Sequence, residues 1–308
     1  MNISALFTRM IVLFATMGIG YTITKLGLMD TAFNQKLTKI VLNVTMPMMF
    51  LSSVINVEHV LTNHDVLVLT LVAAGCYAFL ILVSLLLPTL LHVSSRDGGT
   101  YRFMYIFSNI GFMGYPVVQS IFGSDANFYV TIFVLFFNLL VFTIGVTLIR
   151  GGQEKLRFSW AMFRKPAIVA ALASYLLYLL NLHLPPVVAD IVSYTGDLTS
   201  PLSMLILGCS LAFIPLGPMF RNAKLYLTLA LKMIATPLLV YFMLHRFVHN
   251  ELLLGVVVTM LSMPVATNST MFALEYGGDE QLASSGVFVS TILSIFSIPA
   301  IIWLLFSH

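Results

Sequence analysis

Two proline-centred stretches carry the side chains of this sequence that could do chemistry in an apolar setting. The first reads Ser108-Asn109-Ile110-Gly111-Phe112-Met113-Gly114-Tyr115-Pro116. The second reads Ser262-Met263-Pro264-Val265-Ala266-Thr267-Asn268-Ser269-Thr270. Neither contains an acid, a base or a thiol. Their amides and hydroxyls can hold a ligand by hydrogen bonds, so the chemistry they point to is recognition. The amide of Asn109 can donate to a carboxylate without the cost of a buried charge. Gly111 and Gly114 allow close backbone approach. The Thr267-Asn268-Ser269-Thr270 run is costly in an apolar helix unless it faces something polar, either a ligand or a neighbouring helix.

The prolines supply the second half of such a site. Proline lacks an N–H and its ring clashes with the carbonyl four residues back. Pro116 is expected to release the carbonyl of Phe112, and Pro264 that of Met260. Half-helix N-termini exposed at a break attract anions. A further pair of motifs, Asn43-Val44-Thr45-Met46-Pro47 and Asp197-Leu198-Thr199-Ser200-Pro201, share a polar residue four before proline and a Thr two before it. Pro47 and Pro201 are 154 residues apart, and Pro116 and Pro264 are 148 apart. Prolines paired at nearly one offset are expected of an internal repeat. The candidate binding residues are therefore Asn43, Pro47, Asn109, Pro116, Pro264, Thr267 and Asn268.

One cation joins them. Lys232 lies eight residues past Lys224, about 12 Å along a helix at 1.5 Å per residue. It can snorkel back to the interface, face a cavity as counter-charge to an anion, or pair with an acid, for which Asp197 is the leading candidate. Asp197 and Asn138 are the candidates for coupling an ion or a charge.

The elements that must position these residues are membrane helices. Of 308 residues, 59% are apolar and 9% charged, against about 25% charged in soluble domains. A bilayer core takes roughly 20 residues per helical crossing. Ten apolar stretches are predicted to span it: 5–25, 35–55, 66–91, 102–122, 127–149, 164–182, 194–216, 223–245, 251–272 and 281–306. They leave no room for a soluble catalytic domain, and long continuous apolar runs are not those of a β-barrel. Arg9 leads directly into a run of spanning length, so a signal peptide is not expected.

The connecting loops alternate in basic content. Odd-numbered loops hold Lys25, Lys36, Lys39, Arg96, Arg102, Arg150, Lys155, Arg157, Arg164, Lys165, Arg221 and Lys224, and even-numbered loops hold Arg246. By the positive-inside rule both termini are expected outside the cytoplasm. The expected organisation is an all-α membrane protein of ten transmembrane helices. It comprises a five-helix repeat (1–150), a cytoplasmic connector (151–163) and a second, inverted five-helix repeat (164–308), with broken helices 4 and 9 crossing.

At these residues the chain resembles the auxin efflux carrier family. Asn109 to Pro116 is similar to that family's Asn-to-Pro segment in the fourth helix. Phe272-Ala273-Leu274-Glu275-Tyr276 is similar to its Phe-Ala-x-Glu-Tyr ending of the ninth. Lys232, five before Pro237, matches a basic residue before proline in the eighth. The resemblance runs through nearly the whole chain. It implies a scaffold and a moving transport domain, substrate held beside the two crossover prolines, and a homodimer, with Asn109 as the carboxylate contact. The plant exporters' long central cytoplasmic loop is missing, and Thr267 and Asn268 stand where they are less polar. Both departures point to the bacterial branch and to small carboxylates such as malate or malonate, with H⁺ or Na⁺ as coupling ion.

Other classes fare worse. A cation/proton antiporter needs mid-membrane carboxylates, but the stretch from Asn127 to Ile149 has no acid and only Asn138 as a mid-helix amide. A sodium-coupled symporter of the bile-acid type stays open, because carbonyls freed at the breaks could hold Na⁺. An intramembrane enzyme would need a metal motif, paired aspartates or a deep histidine, and none is present. No cofactor is called for. Cys76 and Cys209 both fall within predicted helices, which argues against a disulfide. A membrane sensor built on a transporter fold is the other alternative, made less expected by the lack of an appended signalling domain in the sequence. The net charge of +3 gives no reason to expect nucleic acid.

Overall fold

The computed structural model describes residues 3–55, 62–93, 95–149, 164–180, 182, 184–214, 222–267 and 269–306. The chain is helical throughout these residues. In order the helices are α1 (Ile3–Lys25), α2 (Thr31–Ile40), α3 (Met46–Ile55), α4 (Asn63–Leu90), α5 (Ser95–Ile106), α6 (Tyr115–Phe122), α7 (Asn127–Leu140) and α8 (Val146–Ile149). They continue as α9 (Pro166–Leu179), α10 (Pro186–Asp197), α11 (Thr199–Ala212), α12 (Ala223–Ala230), α13 (Thr236–Leu244), α14 (Glu251–Ser262), α15 (Ser269–Tyr276) and α16 (Glu280–Phe306).

Polar residues in the turns start many of these helices. Asp30 accepts from the N–H of Phe33 at 2.6 Å, Asn222 from Leu225 at 3.1 Å, and Asn250 from Leu253 at 3.0 Å. Thr62 and Asp65 form a reciprocal capping box at the start of α4. Each cap satisfies an N–H that has no carbonyl partner at a helix start.

Among the described residues, four stretches are long and apolar enough to cross a bilayer: Thr31–Ile55, His64–Leu90, Ala223–Leu244 and Glu280–Phe306. A fifth, Ser124–Leu140 with Thr143–Ile149, bends by 42°. Ile11–Lys25, Ile110–Phe122, Pro166–Leu179 and Glu251–Ser262 are shorter apolar helical stretches. Large apolar side chains such as Leu71, Leu82, Phe242 and Phe296 are exposed along the long stretches, as lipid-facing positions require.

The expected bounds shift in three places. The fourth expected span, 102–122, begins earlier, at Ser95, and breaks between Ile106 and Ile110. The polar run from Ser95 to Thr100 reads as loop in sequence yet winds as helix. The seventh, 194–216, begins at Pro186, where proline fits the first helical turn. The ninth, 251–272, breaks after Ser262 and resumes at Ser269. The connector 151–163 lies outside the described residues.

Three of the intrahelical prolines follow π turns. Val41–Thr45 precedes Pro47, Ile110–Gly114 precedes Pro116, and Leu231–Ala235 precedes Pro237. In two of them the next N–H reaches the carbonyl five back, Met46 to Val41 and Thr236 to Leu231. The widened turn moves the i−4 carbonyl away from the proline ring, so α2–α3 and α12–α13 pass through without a break.

The helices pack as two groups. In one, α1 lies along α11, α2 also meets α11, and α3 lies against α9 and α10. The α1–α11 contact is backbone to backbone: a side chain at Gly20 would strike Leu205, and one at Gly208 would strike Met17 and Tyr21. In the other, α4 packs on α5 and α7, α5 on α8, and α14 on α13, α16 and α7. The groups meet along α1–α6, α1–α16, α3–α7 and α7–α9. At one of these contacts the Ser53 hydroxyl on α3 meets Thr131 on α7 at 3.1 Å, and Thr131 in turn meets the Tyr115 hydroxyl at 2.7 Å.

Candidate functional site

The two broken helices cross at their breaks, and main-chain bonds join them. The N–H of Asn109 donates to the carbonyl of Pro264 at 2.8 Å, and that of Ala266 donates to Phe107 at 3.0 Å. Ser108 and Val265 thus form a lone antiparallel bridge between otherwise helical segments. The N–H of Val265 donates to the Ser290 hydroxyl on α16 at 3.0 Å. Groups that lose helical partners at the breaks find them here, as a buried backbone must.

The first break therefore lies upstream of its proline. Pro116 sits buried in the first turn of α6, behind the π turn, and the discontinuity is at Ser108 and Asn109. Asn109 has left the helix, with ψ near 52°, so it does not share a continuous helical face with Pro116. In the second stretch the break falls at the proline itself.

Lys232 reaches this crossing from the π turn between α12 and α13. Its side chain is 1% exposed, which leaves no path for snorkelling. Nζ donates to the Ser108 hydroxyl at 2.6 Å and to the Tyr105 carbonyl at 3.1 Å. Tyr105 belongs to the last turn of α5, where carbonyls lack partners and the helix dipole favours a cation. Among the described residues no carboxylate lies within salt-bridge distance of it. Asp197 is exposed.

Asn109 is 3% exposed, and its side-chain N–H₂ has no partner among the described residues. The hydroxyls of Thr267 and Ser269, at the second break, are also buried without partners. Asn268 lies outside the described residues. Asn43 stays out of this cluster: it is exposed and donates to Lys39 of its own helix at 2.8 Å. Asn138 likewise donates to Val134 one turn back, at 2.9 Å. Pro47 is buried in α3, and its neighbour Met46 is the side chain nearest to the α-carbon face of Gly111.

Sequence reasoning missed three contributors. Ser290 holds the Val265 N–H, Ser108 holds Lys232, and Tyr105 shares a 2.6 Å hydroxyl contact with Thr236. Polar residues embedded in apolar helices were the available signal for all three. Phe272 and Tyr276, in the ninth-helix ending, form a row of tilted aromatic contacts with Phe103. A cavity of about 10 Å³ beside Ser108, lined by Tyr77, Ile106, Phe133 and Met260, has room for one water at most.

A polar crossing of broken helices, set in a multi-pass bundle of apolar ones, defines a class: the helical membrane transporters. Residues 5–302 match the family described as membrane transport protein, and the chain belongs to that family, the auxin efflux carriers. It is 30% identical over 297 residues to an uncharacterized transporter of Methanothermobacter thermautotrophicus, covering 91% of this chain and 92% of that one. It is 24% identical over 299 residues to an uncharacterized transporter of Methanocaldococcus jannaschii, covering 93% and 94%. A protein of Rhizobium meliloti named "Putative malonate transporter" is 23% identical over 208 residues, 65% of this chain and 64% of its own.

Proposed function

We propose that the protein carries a small organic anion, a mono- or dicarboxylate such as malate or malonate, across the cytoplasmic membrane by alternating access. The observation that carries this reading is the buried side-chain N–H₂ of Asn109, without a partner among the described residues and one residue from the Lys232–Ser108 contact. A carboxylate fits both. The amide N–H₂ donates to one oxygen, and the ammonium, with three donors of which two are used among the described residues, has one left and a charge to offset. The half-helix that opens with the π turn Ile110–Gly114, and α15, begin beside it and add the N–H ends that favour anions. Malonate in the name of a relative is consistent with this substrate class.

The proposal includes the whole-chain organisation. The helices join into ten segments, five on each side of residues 150–163. Breaks in the fourth and ninth are expected of two inverted repeats (1–150 and 164–308) that oppose each other at the bilayer midplane. The basic residues of the odd-numbered loops put both termini outside the cytoplasm. The group containing α1–α3 and α9–α11 serves as scaffold, and the group containing the crossing moves against it. The working unit is a homodimer, and H⁺ or Na⁺ drives it.

Flux tests this. Purified protein in proteoliposomes is expected to take up labelled malonate or malate, with unlabelled carboxylates competing. A pH or Na⁺ gradient that accelerates uptake identifies the driving ion. No carboxylate binding or flux across a panel of mono- and dicarboxylates would overturn the reading.

A further inference from the structure

Serine and threonine hydroxyls in this protein nearly always satisfy themselves on the preceding helical turn. Thr16, Thr22, Thr24, Thr38, Thr70, Ser174, Ser210, Thr228, Thr259 and Ser262 all donate to a carbonyl four residues back. Some buried hydroxyls do not: besides those of Thr267 and Ser269 at the second break, three stand out. Thr199 and Ser203 are 0% exposed, Thr45 is 3% exposed, and none of their oxygens has a partner among the described residues. A buried hydroxyl without a hydrogen bond is costly, and three in one place call for an explanation.

They are in one place. Three contacts fix how the second helical segment (α2–α3) runs against the seventh (α10–α11). Asn34 donates to Ser210 at 3.0 Å, Ser52 to Ser193 at 3.3 Å, and a side chain on Gly196 would meet the backbone of Met49. In each pair the residue number rises on one segment as it falls on the other, so the two run antiparallel in a constant register. That register sets Thr45 opposite Thr199 and Val41 opposite Ser203. Thr199 and Ser203, four apart, share one face of α11. α11 also packs on the π turn Ile110–Gly114 that Asn109 opens, so the seam lies against the crossing.

Resting on the carboxylate reading above, we infer that Thr45, Thr199 and Ser203 form the second half of the substrate site. They hydrogen-bond the distal carboxylate of a dicarboxylate whose first carboxylate lies at Asn109 and Lys232. The seam is uncharged, so it can donate hydrogen bonds to a second carboxylate without trapping it as a buried ion pair would. These are specificity-determining residues: a monocarboxylate leaves them unfilled.

The test is the affinity of purified protein for malonate and for acetate in Thr45→Val, Thr199→Val and Ser203→Ala. Each variant is expected to weaken malonate roughly tenfold or more, the loss for one hydrogen bond to a charged group, and to leave acetate unchanged. Because the hydroxyls lack partners among the described residues, the variants should melt at or above the wild-type temperature without ligand. A merely structural role would lower it. Thr199→Ser, which keeps the hydroxyl, should retain malonate binding. Unchanged malonate affinity in all three variants, or equal losses for malonate and acetate, would overturn the assignment. If wild-type protein binds neither acid, the carboxylate reading fails and this one with it. If wild type binds both and the variants behave as wild type, only the seam is wrong.

Discussion

At the scale of single residues, the crossing separates two kinds of polar group. Asn109 has spare hydrogen-bonding capacity, whereas Lys232 is mostly engaged by Ser108 and Tyr105. Asn109→Ala removes a donor that no group among the described residues uses, so folding should survive. Carboxylate binding should weaken about tenfold or more, since a hydrogen bond to a charged group is worth roughly 1.5–3 kcal/mol. Isothermal titration with folded protein reads it directly, and unchanged affinity would make Asn109 a packing residue. Lys232→Gln keeps length and polarity while removing the charge. It should weaken dicarboxylates more than monocarboxylates, because the uncompensated charge grows with the substrate. Neutralising Asp197 should restore nothing, since that side chain is exposed and no carboxylate lies near Lys232 among the described residues.

At the scale of elements, much was legible and the exceptions have physical causes. Apolar length located the helices, and proline spacing located the regions of both breaks. The break near Pro116 was displaced because a π turn, which no residue pattern announces, absorbs the proline's clash. The same device keeps α2–α3 continuous at Pro47, which is why Asn43 points away. The partners of Lys232 were hidden because they lie 124 and 127 residues away in sequence. Small residues make a separate claim. A methyl group at Gly208 would collide with the Met17 carbonyl, whereas one at Gly75 meets nothing within 4 Å. Gly208→Ala should therefore destabilise the α1–α11 pair by about 1–3 kcal/mol, the usual range for overpacking, and Gly75→Ala should be near neutral. Melting of the two variants in the same detergent checks the difference.

At the scale of the whole molecule, the two helix groups give opposite expectations for cross-links. The test background replaces Cys76 and Cys209, the two native cysteines, with alanine. Asn34→Cys with Ser210→Cys joins α2 to α11 within one group, at side chains now 3.0 Å apart. Ser53→Cys with Thr131→Cys joins α3 to α7 across the groups, at hydroxyls 3.1 Å apart. If one group moves against the other, oxidation should arrest flux in the second pair and spare it in the first, with reductant restoring it. Flux retained in both oxidised pairs would argue that the groups do not slide. Topology is a separate test: a cysteine at residue 308 should label from outside, and one at Gln153 only from the cytoplasm.

The bridge at Ser108 and Val265 has a consequence of another kind. The crossing is joined by peptide groups, from Asn109 to Pro264 and from Ala266 to Phe107, and every residue except proline carries the same N–H and C=O. The joint therefore makes little demand on side-chain identity. Asn109 and Thr267, whose side-chain N–H₂ and hydroxyl lack partners among the described residues, can be exchanged over evolutionary time without loosening it. Mutational drift at these positions can retune what is recognised while the hinge-free crossing is inherited intact. One architecture can thus diversify its ligands by a few substitutions.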